Sequence, residues 1–438
     1  MPASEPPPEP SPASGPEPPR DVLEPQLARL FEAVLGSAGR VGPRVDAESG
    51  FFALGGDSMA AIDLAERVER RWGVAVPLGR FLPDLTVASL AAHLRDAGVE
   101  EPGPGQAGAA RAGSGQGTTG AGSSAAAERE PGAGAGEVAA GSPLVAIQPQ
   151  GGRPPFFCVH PSGGSVLCYL ELARRLGPEQ PFWGLQGPDP RHAVEPPGSV
   201  EAMAGHYLEA LRAAFPRGPY RLGGYSFGGY VAFEMARRLA AAGEPPAVVV
   251  LLDTRAPSAL AAGAAQPEGG LVADLAAVLE RHDLDSADPG AEDERRLWDD
   301  LRDLAEEHLR SVWREGDPPP GRRRRLGEIQ RFFRDHRFLP AAGTVDYPQV
   351  RRYLRFLRAY FRASRAYAPQ PYPGAVSLLL ATDRLTPAEA DPETHAAGWS
   401  RLAAGGLTVR RVPGHHLAFV TPPAVASVAV ALEEVLRP

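Results

Sequence analysis

The chain has 438 residues, room for two or three domains, with 45 basic and 53 acidic side chains and a net charge of −8. That acidic balance argues against a nucleic-acid partner and against an anionic membrane surface. Two cysteines, Cys158 and Cys168, make neither a disulfide framework nor a metal set, so no metal is expected and a reducing cytoplasm suits the chain.

No apolar run approaches the ~18 residues that cross a bilayer, the longest being Ala247 to Leu252, so no membrane partner is expected. Residues 1–20 are Pro-rich, without the basic start or apolar centre of a signal peptide, and read as a disordered tail. From 21 to 98 the pattern is helical. Leu23, Leu27, Leu30, Phe31, Val34 and Leu35 recur at helical spacing, and Gly36 offers a stop. A second helix carries Met59, Ile62, Ala65, Val68 and Trp72 on one face and ends at Gly73. A short piece from Pro77 to Leu82 leads to a last helix, Thr86 to Ala97, which completes a small all-α, four-helix bundle.

The second helix opens on Phe51-Phe52-Ala53-Leu54-Gly55-Gly56-Asp57-Ser58. By residue type alone, Asp57-Ser58 is an ordinary N-cap. The octet as a whole resembles the peptidyl carrier domain of nonribosomal peptide synthetases. That resemblance implies 4′-phosphopantetheine attached covalently to Ser58 by a phosphopantetheinyl transferase. A phosphodiester at a helix N-terminus meets free N–H groups and the positive dipole end.

Residues 99–140 collapse to Gly, Ala, Ser, Glu and Pro and read as a flexible linker with an r.m.s. span of roughly 35 Å. From 141 to 438 short apolar runs alternate with helical stretches. The candidate strands are Pro155 to Val159, Pro181 to Leu185, Arg221 to Gly223, Val248 to Leu252, Val376 to Ala381 and Leu407 to Val412. Such alternation predicts a mostly parallel sheet covered on both faces. Between about 257 and 373 no strand is predicted; helical patterns at Leu271 to Glu280, Glu292 to Trp313, Leu326 to Phe333 and Val350 to Tyr367 suggest a helical insertion that serves as a lid.

Inside that region, Tyr220 to Tyr225 is a short strand that runs into Gly224-Tyr225-Ser226-Phe227-Gly228 and then into a helix. This is the strand–turn–helix setting that exposes a serine as a nucleophile, with the helix N-terminus beneath it available to an oxyanion. Such a serine needs a base, an orienting acid and oxyanion donors, with the triad in the chain order Ser, Asp or Glu, His. His415 and His416 follow the last strand beside Gly414, either being placed to act as base. Asp253 and Asp383 each follow a strand, and pattern alone does not choose between them. The loop His160-Pro161-Ser162-Gly163-Gly164 leaves the first strand and can aim one N–H at the site; Phe227 supplies the other.

Read together, His-Pro-x-Gly-Gly, Gly-Gly-Tyr-Ser-x-Gly-Gly, Leu-Leu-Asp-Thr, Tyr-x-Pro-x-Pro-Tyr-Pro-Gly and Gly-x-His over residues 144–436 resemble a type I thioesterase domain of the α/β-hydrolase superfamily. Carried onto this chain, the resemblance implies Ser226 as nucleophile, Asp253 rather than Asp383 as acid, His416 as base, and the Ser162 and Phe227 amides as oxyanion donors. It further implies an acyl or peptidyl thioester substrate, upstream nonribosomal peptide or polyketide synthetase modules as partners, and chain release by hydrolysis or macrocyclisation. A proofreading thioesterase, an acyltransferase to a separate acceptor, a free esterase and a non-catalytic docking module are the competing readings. The fused carrier argues against the proofreading enzyme and the free esterase, and the complete Ser/Asp/His set against the docking module; transfer to a separate acceptor stays open.

Overall fold

The computed structural model describes residues 23–37, 45–52, 54, 58–74, 76, 81, 85–99, 142–188, 195–257, 271–286, 290–312, 347–384 and 391–437. The readings of residues 1–20 as a tail, 99–140 as a linker (apart from Val99) and Leu326 to Phe333 as a helix lie outside them, as does the piece from Pro77 to Leu82 apart from Phe81. The chain separates into an N-terminal compact unit and a larger one that contains everything from Ala126 onward.

The N-terminal unit is helical: α1 is Leu23–Ser37, α2 is Ser58–Trp72 and α3 is Val87–Asp96. Its core forms where the apolar stripes meet, with Leu27 and Phe31 from α1, Leu64 and Val68 from α2, and Leu90 and Leu94 from α3 all fully buried. Phe51, in the loop before α2, sets its ring edge-on to Phe31 at 5.2 Å and so pins that loop to the core. Thr86 caps α3 through a reciprocal pair: its Oγ1 accepts the Ser89 N–H, and Ser89 Oγ accepts the Thr86 N–H. Such a cap is worth about 1 kcal/mol.

The larger unit is built on a seven-stranded sheet in the order β1-β3-β2-β4-β5-β6-β7. The strands are β1 Leu144–Gln148, β2 Phe156–Val159, β3 Phe182–Leu185, β4 Arg221–Tyr225, β5 Val248–Leu252, β6 Val376–Asp383 and β7 Leu407–His415. All pairs are parallel except β1–β3. The helices are α4 Leu170–Leu176, α5 Val200–Ala214, α6 Phe227–Ala241, α7 Leu271–Arg281, α8 Ala291–Val312, α9 Tyr347–Ala366, α10 Pro392–Ser400 and α11 Val425–Leu436. β1, α10 and α11 are elements the sequence pattern did not predict. Side chains alternate along the strands. Phe157, Val159, Leu222, Val249, Leu251 and Leu378 share one core with α5 and α6, while α4 packs on α11 and α11 on β5, β6 and β7.

Register matters for function. Val159 is level with Gly224, and Tyr225 with Leu252, so the segments that leave β2, β4 and β5 all start at one edge of the sheet. The insertion between β5 and β6 carries α7, α8 and α9 around a core of its own, with Leu275, Leu279, Leu301, Leu354 and Phe361 among its members. α9 has two apolar faces. Val350, Leu354, Leu357 and Phe361 face the insertion core, whereas Phe356, Tyr360, Ala363 and Tyr367, which follows its last turn, join the core of the sheet.

Candidate active site

β4 turns into α6 through Ser226, whose φ of 56° and ψ of −121° lie outside the regions that side chains favour. Holding a non-glycine residue there costs about 1–3 kcal/mol, which the packing on either side must supply. That packing is close: a Cβ on Gly224 would sit 2.1 Å from the Gly228 carbonyl, and one on Gly228 would sit 2.3 Å from the Val159 carbonyl oxygen. The Ser226 N–H donates to the carbonyl of Leu252, the last residue of β5, at 2.9 Å. Strand, turn and helix are therefore locked together with the hydroxyl half exposed at the sheet edge.

Asp253 follows β5 with its own positive φ of 43°. Its N–H donates to the Leu379 carbonyl at 2.7 Å, and its carboxylate is divided between two partners. Oδ1 accepts the Ala381 N–H at 2.8 Å, and Oδ2 lies 2.7 Å from His416 Nδ1. His416 Nε2 in turn lies 2.9 Å from Ser226 Oγ. A carboxylate only accepts, so Nδ1 carries the imidazole hydrogen and Nε2 is left bare to accept from the serine hydroxyl. Burial by itself would raise the Asp253 carboxyl, but the His416 imidazole, the Ala381 amide and Arg255 outweigh it and hold the group below the usual carboxylate range. Asp253 therefore stays ionised at neutral pH.

His416 begins a single 3-10 turn directly after β7. Its carbonyl accepts a hydrogen bond from the Tyr225 hydroxyl, so the residue before the serine holds the backbone of the histidine. Two alternatives from the sequence lie apart from this relay. Asp383 is exposed, takes a hydrogen bond from the neighbouring Thr382 at 2.8 Å, and is level with His415 across the β6–β7 pair. His415 closes β7, one residue before the imidazole whose Nε2 lies 2.9 Å from Ser226 Oγ.

Phe227 is the first residue of α6, so its amide lacks an intrahelical acceptor. Ser162 sits in the loop after β2, and among the described residues its amide has no acceptor either. The loop is held from both ends: Gly164 N–H donates to the Pro161 carbonyl at 2.9 Å, and Gly187 N–H to the Gly164 carbonyl at 2.8 Å. Beneath it, His160 is fully buried, its Nδ1 2.7 Å from the Pro161 carbonyl and its Nε2 2.7 Å from the Tyr207 hydroxyl. The carbonyl must accept, so Nδ1 bears the hydrogen and Tyr207 donates to Nε2. Burial keeps this histidine neutral, with its pKa lowered to about 4. Tyr360 of α9 lays its ring 5.2 Å from His160 and 5.1 Å from Phe227, which ties the insertion to the supports of both amides.

Sequence reasoning named Ser226, Asp253, His416, Ser162 and Phe227 but missed Tyr225, Ala381, His160, Tyr207 and Tyr360 as their supports. Tyr225 was within reach of the motif, since it adjoins the serine. His160 opens the His-Pro-x-Gly-Gly loop, but its role as a support shows only through its side-chain bond to Tyr207; Ala381 and Tyr360 act through backbone or packing contacts that leave no motif.

Among the described residues no helix is long and apolar enough to cross a membrane, and no group of three or more His, Cys, Asp or Glu could hold a metal. A protein-family model described as a thioesterase domain matches residues 154–318, and one described as a phosphopantetheine attachment site matches residues 25–94. The dimodular nonribosomal peptide synthase of Bacillus subtilis (strain 168) is 32% identical over 235 residues, which is 54% of this chain and 8% of that protein. The indigoidine synthase of Dickeya dadantii (strain 3937) is 31% identical over 226 residues, 52% of this chain and 12% of that protein. The chain thus spans only a small part of the length of these relatives. A solved four-domain nonribosomal peptide synthetase shares the fold with a TM-score of 0.50 and 24% identity, covering 98% of this chain and 27% of that one. The chain therefore carries a carrier domain with a phosphopantetheine attachment site followed by a thioesterase domain of α/β-hydrolase fold, and nonribosomal peptide synthetases are among its relatives.

Proposed function

We propose that the chain is a chain-releasing thioesterase that acts on an acyl or peptidyl thioester borne by its own carrier domain, with Ser226, His416 and Asp253 as its catalytic residues. One observation carries the reading: a strained serine hydroxyl hydrogen-bonded to an imidazole that a buried carboxylate orients, in a chain that also holds a carrier domain. In this reading the carrier spans 21–98, a flexible linker 99–140 delivers it, the thioesterase spans 141–438, and the helices between about 257 and 373 form the lid.

Ser58 would hold the 4′-phosphopantetheine. It opens α2, and no acidic residue occupies the first turn of that helix, which suits an anionic phosphodiester at the positive end of the dipole. When attached, the group supplies a thiol on a long arm, so that the substrate arrives as a thioester.

Asp253 fixes the tautomer of His416. Nε2 takes the Ser226 proton as Oγ bonds to the thioester carbonyl carbon, and the resulting oxyanion accepts hydrogen bonds from the Ser162 and Phe227 amides. The C–S bond then breaks, and His416 returns the proton to the departing thiolate, which leaves the acyl group as an ester on Ser226. A water molecule, or an amine or hydroxyl of the chain itself, attacks that ester with His416 again as base, releasing an acid or a ring and restoring Ser226. The insertion helices control how much water reaches the ester. Cytoplasmic location, a phosphopantetheinyl transferase and upstream synthetase modules complete the proposal as setting and partners.

The test is intact-mass spectrometry of the full chain after treatment with coenzyme A, a phosphopantetheinyl transferase and an activated acyl group. Wild type gains the arm and loses the acyl mass with time; Ser226→Ala keeps the acyl mass, and Ser58→Ala never gains the arm. Release from Ser226→Ala at the wild-type rate would sink the proposal.

A further inference from the structure

Asp253 is held in a backbone conformation it would not adopt unaided, with a φ of 43°. The three residues after it, Thr254 to Ala256, are wedged between two helices. On one side lies the first turn of α6: a Cβ on Gly229, three residues beyond the serine, would sit 1.9 Å from Thr254 Oγ1. On the other side lies α10, which offers two side chains a helical turn apart. Trp399 Nε1–H donates to the Thr254 carbonyl at 2.8 Å, and His395 Nδ1 accepts the Ala256 N–H at 3.4 Å. A Cβ on Gly398 would come within 2.4 Å of the Ala256 Cβ, so nothing larger fits between helix and turn. Trp399 and Thr254 are fully buried. The Trp399 ring also packs on α6, 5.1 Å from Phe233 and 6.2 Å from Tyr230. α10 has a firm start of its own, since the Asp391 side chain caps it and Pro392 opens it.

We propose that α10 clamps the turn that carries the orienting acid, with Trp399 and His395 as positioning residues for Asp253. The inference rests on the reading of Asp253 as that acid. Neither side chain is hydrogen-bonded to the relay among the described residues, though His395 lies close enough to feel the charges of Asp253 and His416; they act by satisfying a buried carbonyl and a buried amide on either side of Arg255. The strained residue is thereby prevented from relaxing into an ordinary conformation, which would carry Oδ2 away from His416. Because Trp399 bridges α10 and the helix that Ser226 caps, the clamp also fixes the spacing between nucleophile and acid. His395 must be neutral to accept the Ala256 N–H, and burial, reinforced by Arg255, lowers its pKa to about 4.

Trp399→Phe keeps an aromatic ring against Phe233 and removes the N–H donor together with part of the indole, a loss of volume that Trp183→Phe matches. His395→Leu removes the acceptor, and His395→Asn restores one at a similar reach. Three quantities would be read on the full chain. They are kcat and KM for a soluble acyl thioester, the fraction of reactive Ser226 counted by fluorophosphonate labelling and intact mass, and the far-downfield proton NMR signal of His416 Nδ1–H bound to Asp253. The clamp predicts that Trp399→Phe and His395→Leu lower kcat per reactive serine about tenfold, with KM within about twofold, and broaden the downfield proton. An ångström of misplacement at a reacting group can cost on the order of 100-fold. His395→Asn should stay near wild type. Trp183→Phe, a buried substitution in β3 remote from the relay, controls for lost stability alone. The proposal is overturned if Trp399→Phe and His395→Leu retain both kcat per reactive serine and the proton signal, or if Trp183→Phe lowers them equally. If Asp253→Asn itself changed neither quantity, the assignment of the acid would fail instead, so the two outcomes are separable.

Discussion

Replacing Asp253 with asparagine preserves volume and removes a single charge, and the contacts of that side chain dictate the outcome. Oδ1 accepts the Ala381 N–H, and the variant's amide oxygen must take that position, because turning the amide would set its NH2 against a backbone donor. The NH2 group then faces His416 Nδ1, where Oδ2 stood at 2.7 Å. To accept from it, Nδ1 must lose its hydrogen, and the neutral imidazole then carries its hydrogen on Nε2, 2.9 Å from Ser226 Oγ. A base with a hydrogen already on the working nitrogen cannot take the serine proton.

The Ala381 amide therefore makes the wrong tautomer compulsory. In serine-protease triads such a tautomer reversal lowers kcat about 10⁴-fold, equivalent to ~5.4 kcal/mol of transition-state stabilisation. The assay is release of free thiol from a soluble acyl thioester, with Asp253→Asn set beside Asp383→Asn. We expect a loss on the order of 10⁴ in the first and none in the second, since Asp383 is exposed and away from the relay. A drop of less than tenfold in Asp253→Asn would refute the argument, as would an equal drop in both variants.

Tyr225→Phe removes the hydroxyl that holds the His416 carbonyl; kcat should fall about tenfold with little change in KM, and an unchanged kcat in steady-state thioester assays would count against that support. The Tyr360 hydroxyl is buried and has no hydrogen-bond partner among the described residues, so Tyr360→Phe should leave the protein as stable as wild type or raise its stability by about 1 kcal/mol. Tyr360→Ala should cost about 3–5 kcal/mol in urea unfolding monitored by tryptophan fluorescence. His160 and His395 both have folded pKa values of about 4, below the ~6.5 of an unfolded histidine. The unfolded chain takes up their protons first, so their contribution is complete above pH ~6.5 and declines as pH falls towards 4, by about 3 kcal/mol for each. Unfolding midpoints between pH 7 and 4 should therefore fall less steeply in His160→Asn than in wild type.

How visible each element was in the sequence depends on what covers it. β2 and β3 are buried at every position, so they appear as the unbroken apolar runs that suit a strand covered on both faces. β1 is the antiparallel edge strand and is partly exposed; its apolar run, Leu144 to Ile147, is as long as that of β2, so run length alone does not set it apart. α10 contains Pro392, Thr394 and Gly398, and its apolar residues form no helical stripe. Its helix is set by the Asp391 cap and by the contacts that Trp399 and His395 make with the turn after β5. Tertiary contacts of this kind override propensity and are silent in a single sequence.

The choice between two acids shows the same limit at the level of chemistry. Asp253 and Asp383 both follow apolar strands, and nothing in either local pattern states which strand end adjoins the serine. The side-chain contacts decide it: Asp253 Oδ2 lies 2.7 Å from His416 Nδ1. β5 pairs directly with β4, with Leu252 level with Tyr225, so the next residue on β5 lies beside the next residue on β4, and these are Asp253 and Ser226. β6 lies one strand further away. It supplies Leu379 and Ala381 as backbone partners of Asp253, and it runs on until Asp383 is level with His415 at the sheet edge. An acid at the end of β6 sits beside β7 but one strand further from Ser226, whereas Asp253 adjoins the serine and reaches His416 past the end of β6. The left-handed backbone at Asp253 goes with that reach past β6, and α10 and α6 press against the turn after β5 from both sides.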